Sequence, residues 1–172
     1  ITSEDGATIL RDLAAHADIL VENFKVGGLA KYGLDYETLR AINPALVYCS
    51  ITGFGMNGPD AQRAGYDFMI QGMGGLMSIT GLPGQGPVRA GIPVADLTAG
   101  LFCAIGIMTA LLERDVSGEG QWVQTSLLQA QIFMLDFQAA RWLVDGDVPQ
   151  QAGNNQMRFD SILQASMTTT QR

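Results

Sequence analysis

Histidine is almost missing from this sequence. Its 172 residues include one, His16, and only two cysteines, Cys49 and Cys103. One histidine excludes a multi-histidine metal site within the chain, and no metal is expected. No G-x-S-x-G elbow, P-loop or H-E-x-x-H accompanies it, so the common serine-hydrolase, nucleotide-hydrolase and zinc-protease arrangements are absent. Both cysteines lie in apolar surroundings, Val47-Tyr48-Cys49-Ser50-Ile51 and Leu101-Phe102-Cys103-Ala104-Ile105. Two are too few for a disulfide framework. They read as buried free thiols of a reducing compartment, with a cytoplasmic location expected.

Charge is also scarce, at 16% of residues, and positive charge scarcer: 10 Lys and Arg face 17 Asp and Glu, for a net charge of −7. An acidic chain without a basic stripe is not built for nucleic acid. A single anionic ligand remains compatible, since it needs only a few local donors. No uninterrupted apolar run approaches the ~20 residues that span a bilayer, so no membrane partner is expected. The opening Ile1-Thr2-Ser3-Glu4-Asp5 is polar and acidic, unlike a signal peptide. It also lacks Met, as a segment of something longer would. No internal repeat is present.

What the chain does hold is a 47% hydrophobic content, enough for a buried core, and 21 glycines without a collagen-like period. Twelve of those glycines fall between Gly53 and Gly100.

Residues 5–16 place Ile9, Leu10 and Leu13 on one face of a helix, with His16 as a partly exposed structural residue at its end. Residues 18–22 and 45–52 read as buried strands. Between them Asp35 should cap a helix carrying Tyr36, Leu39 and Ile42, closed by Asn43-Pro44. Strands alternating with helices point to an α/β fold with a parallel sheet. Met69, Met73 and Met77 recur at helical spacing, which predicts a helix over 66–77 with a methionine stripe packed in the core. A long apolar helix follows from about Ala95 to Arg114. With Leu97, Leu101, Phe102, Ile105, Met108, Leu111 and Leu112 around it, it should be deeply buried. Ser117-Gly118-Glu119-Gly120 is a turn, 121–126 a strand and 127–144 a final helix ended by Asp145-Gly146. Beyond Asn155 the sequence becomes polar and loses periodicity. Residues 1–155 therefore form one unit and 156–172 a polar, divergent tail.

Gly53-Phe54-Gly55-Met56-Asn57-Gly58 matches G-x-G-x-x-G after a strand, but Pro59-Asp60 follows instead of a helix start. No acidic residue lies about twenty positions on to hold a ribose. A glycine turn leaving a strand is the better reading. Asp96 is the most informative carboxylate, at the start of a helix that is otherwise apolar. A helix-capping or first-turn aspartate is the commoner explanation of that pattern. The functional one is a carboxylate nucleophile kept ionised by the helix N-terminus, with glycines allowing close approach of a thioester.

Six short blocks occur in order. They are Val21-Glu22-Asn23-Phe24, Ser50-Ile51-Thr52-Gly53-Phe54-Gly55, Gly58-Pro59, Gly65-Tyr66-Asp67, Pro93-Val94-Ala95-Asp96 and Gly118-Glu119-Gly120-Gln121. As a set they resemble the family III (CaiB/BaiF) CoA-transferases, a family that also includes 2-methylacyl-CoA racemases. The resemblance runs from about Ala17 to Asn155. It implies part of a Rossmann-like parallel-sheet domain followed by long helices. Family members are considerably longer, so it also implies an internal part of a first half. After Gly153-Asn154-Asn155 the family's His-Pro continuation is replaced by Gln156-Met157-Arg158-Phe159.

By the same resemblance Asp96 is the catalytic aspartate, which displaces the capping explanation. Tyr66 matches a position that is tyrosine in many transferases and a proton-transfer histidine in the racemases, so acyl transfer is favoured over racemisation. Asn23, Phe24 and the acidic Asp67 match CoA-contacting positions, and Lys31 falls where a basic residue often lies near the nucleotide. Lys25, Arg63 and Arg89 are further sources of positive potential. The implied reaction moves CoA from an acyl-CoA to a carboxylic acid through an aspartyl-CoA thioester on Asp96, with no tightly bound cofactor. The implied assembly is an interlocked homodimer.

Overall fold

The three apolar runs become three strands: β1 (Ile19–Glu22), β2 (Val47–Thr52) and β3 (Trp122–Ser126). The computed structural model describes residues 1–153, so the 156–172 tail expected from the sequence lies outside the described residues. The strands pair in parallel in the order β1-β2-β3, with Ile19 opposite Val47 and Tyr48 opposite Trp122. β2 is central and nearly all buried. A strand covered on both faces has no solvent side to show, hence its lack of polar alternation. Its one buried serine is satisfied, since Ser50 Oγ accepts a 2.9 Å hydrogen bond from Trp122 Nε1.

Short-range signals set the helix ends on the first side of the sheet. Helix α1 (Glu4–Ala14) starts at Ser3, whose hydroxyl accepts from Gly6 N at 3.2 Å. Asp35 caps α2 (Tyr36–Ile42) by accepting from Thr38 N at 3.2 Å. At the other end, Asn43 Nδ2 donates to Ala14 O and Ala17 O at 3.0 and 2.9 Å, tying α2 to the end of α1. His16 is exposed in the turn after α1. Under these helices Leu34, Leu39, Leu46 and Tyr48 form one core. Tyr36 stacks on Trp122 at 5.1 Å between ring centres.

Two expected helices are broken. The 66–77 segment divides into α3 (Asp67–Met73) and α4 (Leu76–Ile79), because Gly75 takes φ +87° and turns the chain. The methionine stripe therefore never forms: Met73 is exposed and Met69 and Met77 only half-buried, while Ile70 and Gln71 supply the buried side of α3. The 127–144 helix divides into α6 (Leu127–Phe133) and α7 (Phe137–Asp145). Leu135 N and Asp136 N bond back three residues, to Ile132 O and Phe133 O, and Asp136 adopts φ 47°. A helix cannot continue through that conformation.

Helix α5 (Val94–Ser117) corrects a third expectation. It is not deeply buried. Leu97, Leu101, Ile105, Met108 and Leu112 are all exposed, Leu101 to 66%. The buried face instead carries Ala95, Thr98, Ala99, Cys103 and Ala110. Small residues let the helix lie close against β2 and β3, and the large ones project to the other side. By length and composition α5 would also serve to cross a membrane, yet here its small-residue side is packed under the sheet. On that side Cys103 meets Cys49 of β2, Sγ to Sγ at 2.6 Å; both are free and buried.

Candidate active site

In an open parallel sheet, ligands collect beyond the carboxyl ends of the strands, where no side chain of the sheet blocks approach. A cavity of about 790 Å³ lies there in this protein. Asn23 and Phe24 reach it just after β1, Thr52 and Gly53 at the end of β2, and Leu127 just after β3. The turn after β1 is held by Glu22, whose Oε2 accepts from Phe24 N at 2.8 Å.

The loop that follows β2 returns to the same place because two glycines touch. A Cβ added to Gly53 would lie 2.5 Å from Gly65 Cα. With no side chain on either, residues 65–67 are brought against the end of β2, and Tyr66, Asp67 and Asp96 all line the cavity. Tyr66 precedes α3 in extended conformation and is 70% exposed, so it lines the cavity from the surface and not from the core. The glycine of the G-x-G-x-x-G match thus serves close backbone packing, in keeping with its rejection as a dinucleotide fingerprint.

Asp96 sits in the first turn of α5. That helix has no capping side chain of its own next to Pro93. Asp67 supplies the cap from α3: its Oδ1 accepts a 2.8 Å hydrogen bond from Ala95 N. The Asp96 carboxyl titrates above the usual aspartate range, first because neighbouring protein displaces part of its water and second because Asp67 places like charge nearby. The helix N-terminus pulls in the opposite direction, toward the ionised carboxylate.

The sequence-derived site residues are mostly assembled. Asp96, Tyr66, Asp67, Asn23 and Phe24 share one cavity, and Lys25, Arg63 and Arg89 add three cations to its wall. Arg63 is steadied by Asp60 at 2.8 Å and by the Phe54 ring at 5.0 Å. Lys31 is placed apart from this wall, with its ammonium 4.8 Å from the centre of the Tyr32 ring. Among the described residues no group of three or more His, Cys, Asp or Glu is arranged to hold a metal ion.

Gln71 was not singled out from the sequence, yet it is completely buried beside this site. Its Nε2 donates to Asp67 Oδ2 at 2.7 Å and to Ile92 O at 3.2 Å, and its Oε1 accepts from Ala90 N at 2.9 Å. The available signal was its place one helical turn after Asp67.

The chain resembles proteins of one kind throughout. It is 48% identical over 154 residues to a succinate–glutarate CoA-transferase of Agrobacterium fabrum, covering 90% of this chain and 38% of that protein. It is 41% identical over 144 residues to the human succinyl-CoA:glutarate CoA-transferase, covering 84% of this chain and 33% of the relative. Among solved structures, a CaiB/BaiF family protein from Brucella suis superposes with a TM-score of 0.84 at 51% identity, over 87% of this chain and 39% of the other. The chain thus spans about 38% of the Agrobacterium relative's length. The family model for CoA-transferase family III matches residues 1–166, and the chain belongs to that family.

Proposed function

We propose that this chain supplies the nucleophile of a CoA-transferase, with Asp96 carrying CoA between two carboxylic acids. The observation that carries this reading is the position of Asp96: first turn of α5, lining a cavity at the carboxyl ends of three parallel strands. Asp96 attacks the thioester carbonyl of the donor acyl-CoA, forming a mixed anhydride and releasing CoA thiolate. The thiolate attacks the Asp96 carbonyl, giving the aspartyl-CoA thioester and freeing the donor acid as its carboxylate. The acceptor carboxylate then attacks that thioester, again expelling thiolate and forming a second anhydride. Attack of the thiolate on the acceptor carbonyl yields the new acyl-CoA and restores the Asp96 carboxylate. One thioester replaces another, so no ATP is consumed.

A carboxyl with a raised pKa suits this role, because once ionised it is more basic and so more nucleophilic. Backbone N–H groups of the glycine-rich segment stand to stabilise the tetrahedral oxyanions, a contribution often of about 3 kcal/mol. Lys25, Arg63 and Arg89 are the cations we assign to the phosphates of CoA, with Asn23 and Phe24 beside them. Lys31 would meet only a part of the nucleotide reaching beyond the cavity. The named relatives favour four- and five-carbon dicarboxylates such as succinate and glutarate as the exchanged acids, and the family resemblance favours a homodimer.

The test uses the full-length protein, succinyl-CoA and glutarate, with thioester exchange read by mass spectrometry. Asp96→Ala should abolish transfer, and wild-type enzyme caught during turnover should carry CoA on the peptide containing Asp96. A near-normal rate in Asp96→Ala contradicts the mechanism.

A further inference from the structure

We propose that Gln71 is a positioning residue for Asp96, acting through Asp67 and through the segment that leads into α5. The inference rests on Asp96 being the nucleophile. Gln71 does not line the cavity. It is fully buried on α3, and both ends of its amide are engaged: two N–H bonds go out, to Asp67 Oδ2 and Ile92 O, and one comes in, from Ala90 N. A buried amide is retained without cost only when all of these are made.

The three partners are not scattered. Ala90 and Ile92 are the last turn of the glycine-rich segment before α5, and Asp67 is the group that caps α5 at Ala95. Asp96 is the next residue. Gln71 therefore holds both approaches to the nucleophile, the incoming backbone and the capping carboxylate. Pro93 gives α5 no side-chain cap, so this borrowed bracket defines where the helix begins. With Gln71 donating to Oδ2, the Oδ1 of Asp67 stays turned toward Ala95 N. Without that donor the Asp67 carboxylate is free to rotate, and the first turn of α5 loses its orientation toward the cavity. A shift on the order of 1 Å at a nucleophile lowers turnover by roughly 100-fold even when substrate contacts are intact.

The chemistry of the amide gives a test that bulk and folding do not mimic. Glutamate has the shape of glutamine. In Gln71→Glu the introduced carboxyl, while protonated, has one O–H to donate to Asp67 and still accepts from Ala90 N, so that only the bond to Ile92 O is lost. Ionised, it would face the Asp67 carboxylate with like charge and no donor. Two variants of the full-length protein, Gln71→Glu and Gln71→Met, are compared with wild type in succinyl-CoA and glutarate exchange, with folding followed by near-UV circular dichroism.

For Gln71→Met, kcat should fall about 10- to 100-fold while KM for the acyl-CoA changes less than about threefold. For Gln71→Glu, turnover relative to wild type should be highest at low pH, short of unity by the lost bond to Ile92 O, and drop about tenfold or more as pH rises through about 6–9, where the buried carboxyl loses its proton. Equal kcat in wild type and a folded Gln71→Met overturns the proposal, as does a Gln71→Glu to wild-type ratio that is flat with pH. If Gln71→Met does not fold, Gln71→Glu decides. If neither folds, Gln71 is a folding residue and the proposal is overturned. Asp96→Ala run alongside separates the two readings: an active Asp96→Ala removes the nucleophile assignment itself, whereas an inactive one beside an unaffected Gln71 pair removes only the role of Gln71.

Discussion

Gly53 and Gly65 lie back to back, so that a Cβ built on Gly53 would fall 2.5 Å from Gly65 Cα and 2.6 Å from its amide nitrogen. Both obstructing atoms are backbone, which cannot swing aside as a side-chain tip can. The contact joins the end of β2 to the residue preceding Tyr66 and Asp67. Gly53→Ala or Gly65→Ala should cost about 1–3 kcal/mol of stability, read as a lower urea midpoint, because the overlap must push the two segments apart. Transfer activity should fall further than stability alone explains, since Tyr66 and Asp67 move with Gly65. Gly91→Ala is the control: nothing lies within 4 Å of its would-be Cβ, and it should be neutral or slightly stabilising.

Asp96→Asn should make the protein more stable near neutral pH while removing transfer. The sign follows from proton binding. The Asp96 pKa is raised in the folded state, by partial loss of water and then by Asp67. Between the unfolded and folded values the folded chain binds more protons, so stability falls as pH rises through that window and stays lower above it. Asparagine carries no such charge. Its advantage in urea midpoint should be present at pH 7, shrink as the pH falls through that window and be gone below the ordinary aspartate range. A midpoint lower than wild type at pH 7 would contradict the electrostatic account.

Asp67→Ala separates two roles of one carboxylate. Losing the cap on Ala95 N should destabilise the fold by about 1–2 kcal/mol. Losing its negative charge should move the Asp96 pKa downward, because Asp67 is one of the two causes of its elevation. The acid limb of the rate profile should accordingly shift to lower pH, with kcat reduced throughout. A limb that stays in place would mean that Asp67 acts on Asp96 through geometry alone.

The parts of this protein written in local sequence were readable from it. The apolar run of β2, the Asp35 cap and the Asn43-Pro44 stop each depend on neighbours within a few positions. The breaks at Gly75 and Asp136 were not, since a helical pattern of side chains continues across both while the backbone does not. The burial of α5 was misjudged for a different reason. Apolar residues on all sides say that a helix wants cover, not which side receives it, and the sheet takes the alanines. Asp96 and Tyr66, which both line the cavity, were singled out through the family's motifs. Gln71 was not, because its three partners lie at Asp67, Ala90 and Ile92, joined only by the fold.

Gln131 offers the sharpest contrast with Gln71. Both are glutamines on short helices and both are completely buried. Both polar atoms of the Gln71 amide are bonded, whereas neither Nε2 nor Oε1 of Gln131 meets a hydrogen-bond partner among the described residues. Its stem is held in place by close packing, with Cγ where a Cβ on Gly74 would come within 2.7 Å. Burying an amide without partners forfeits its bonds to water and gains none in return, at about 1–3 kcal/mol. Methionine has similar length and volume and no such bonds to lose. Gln131→Met should therefore raise the urea midpoint, by about 1 kcal/mol or more in unfolding free energy, where Gln71→Met lowers it. Equal destabilisation by both would mean that Gln131 finds its partners outside the described residues, and that burial rather than bonding sets the cost of each.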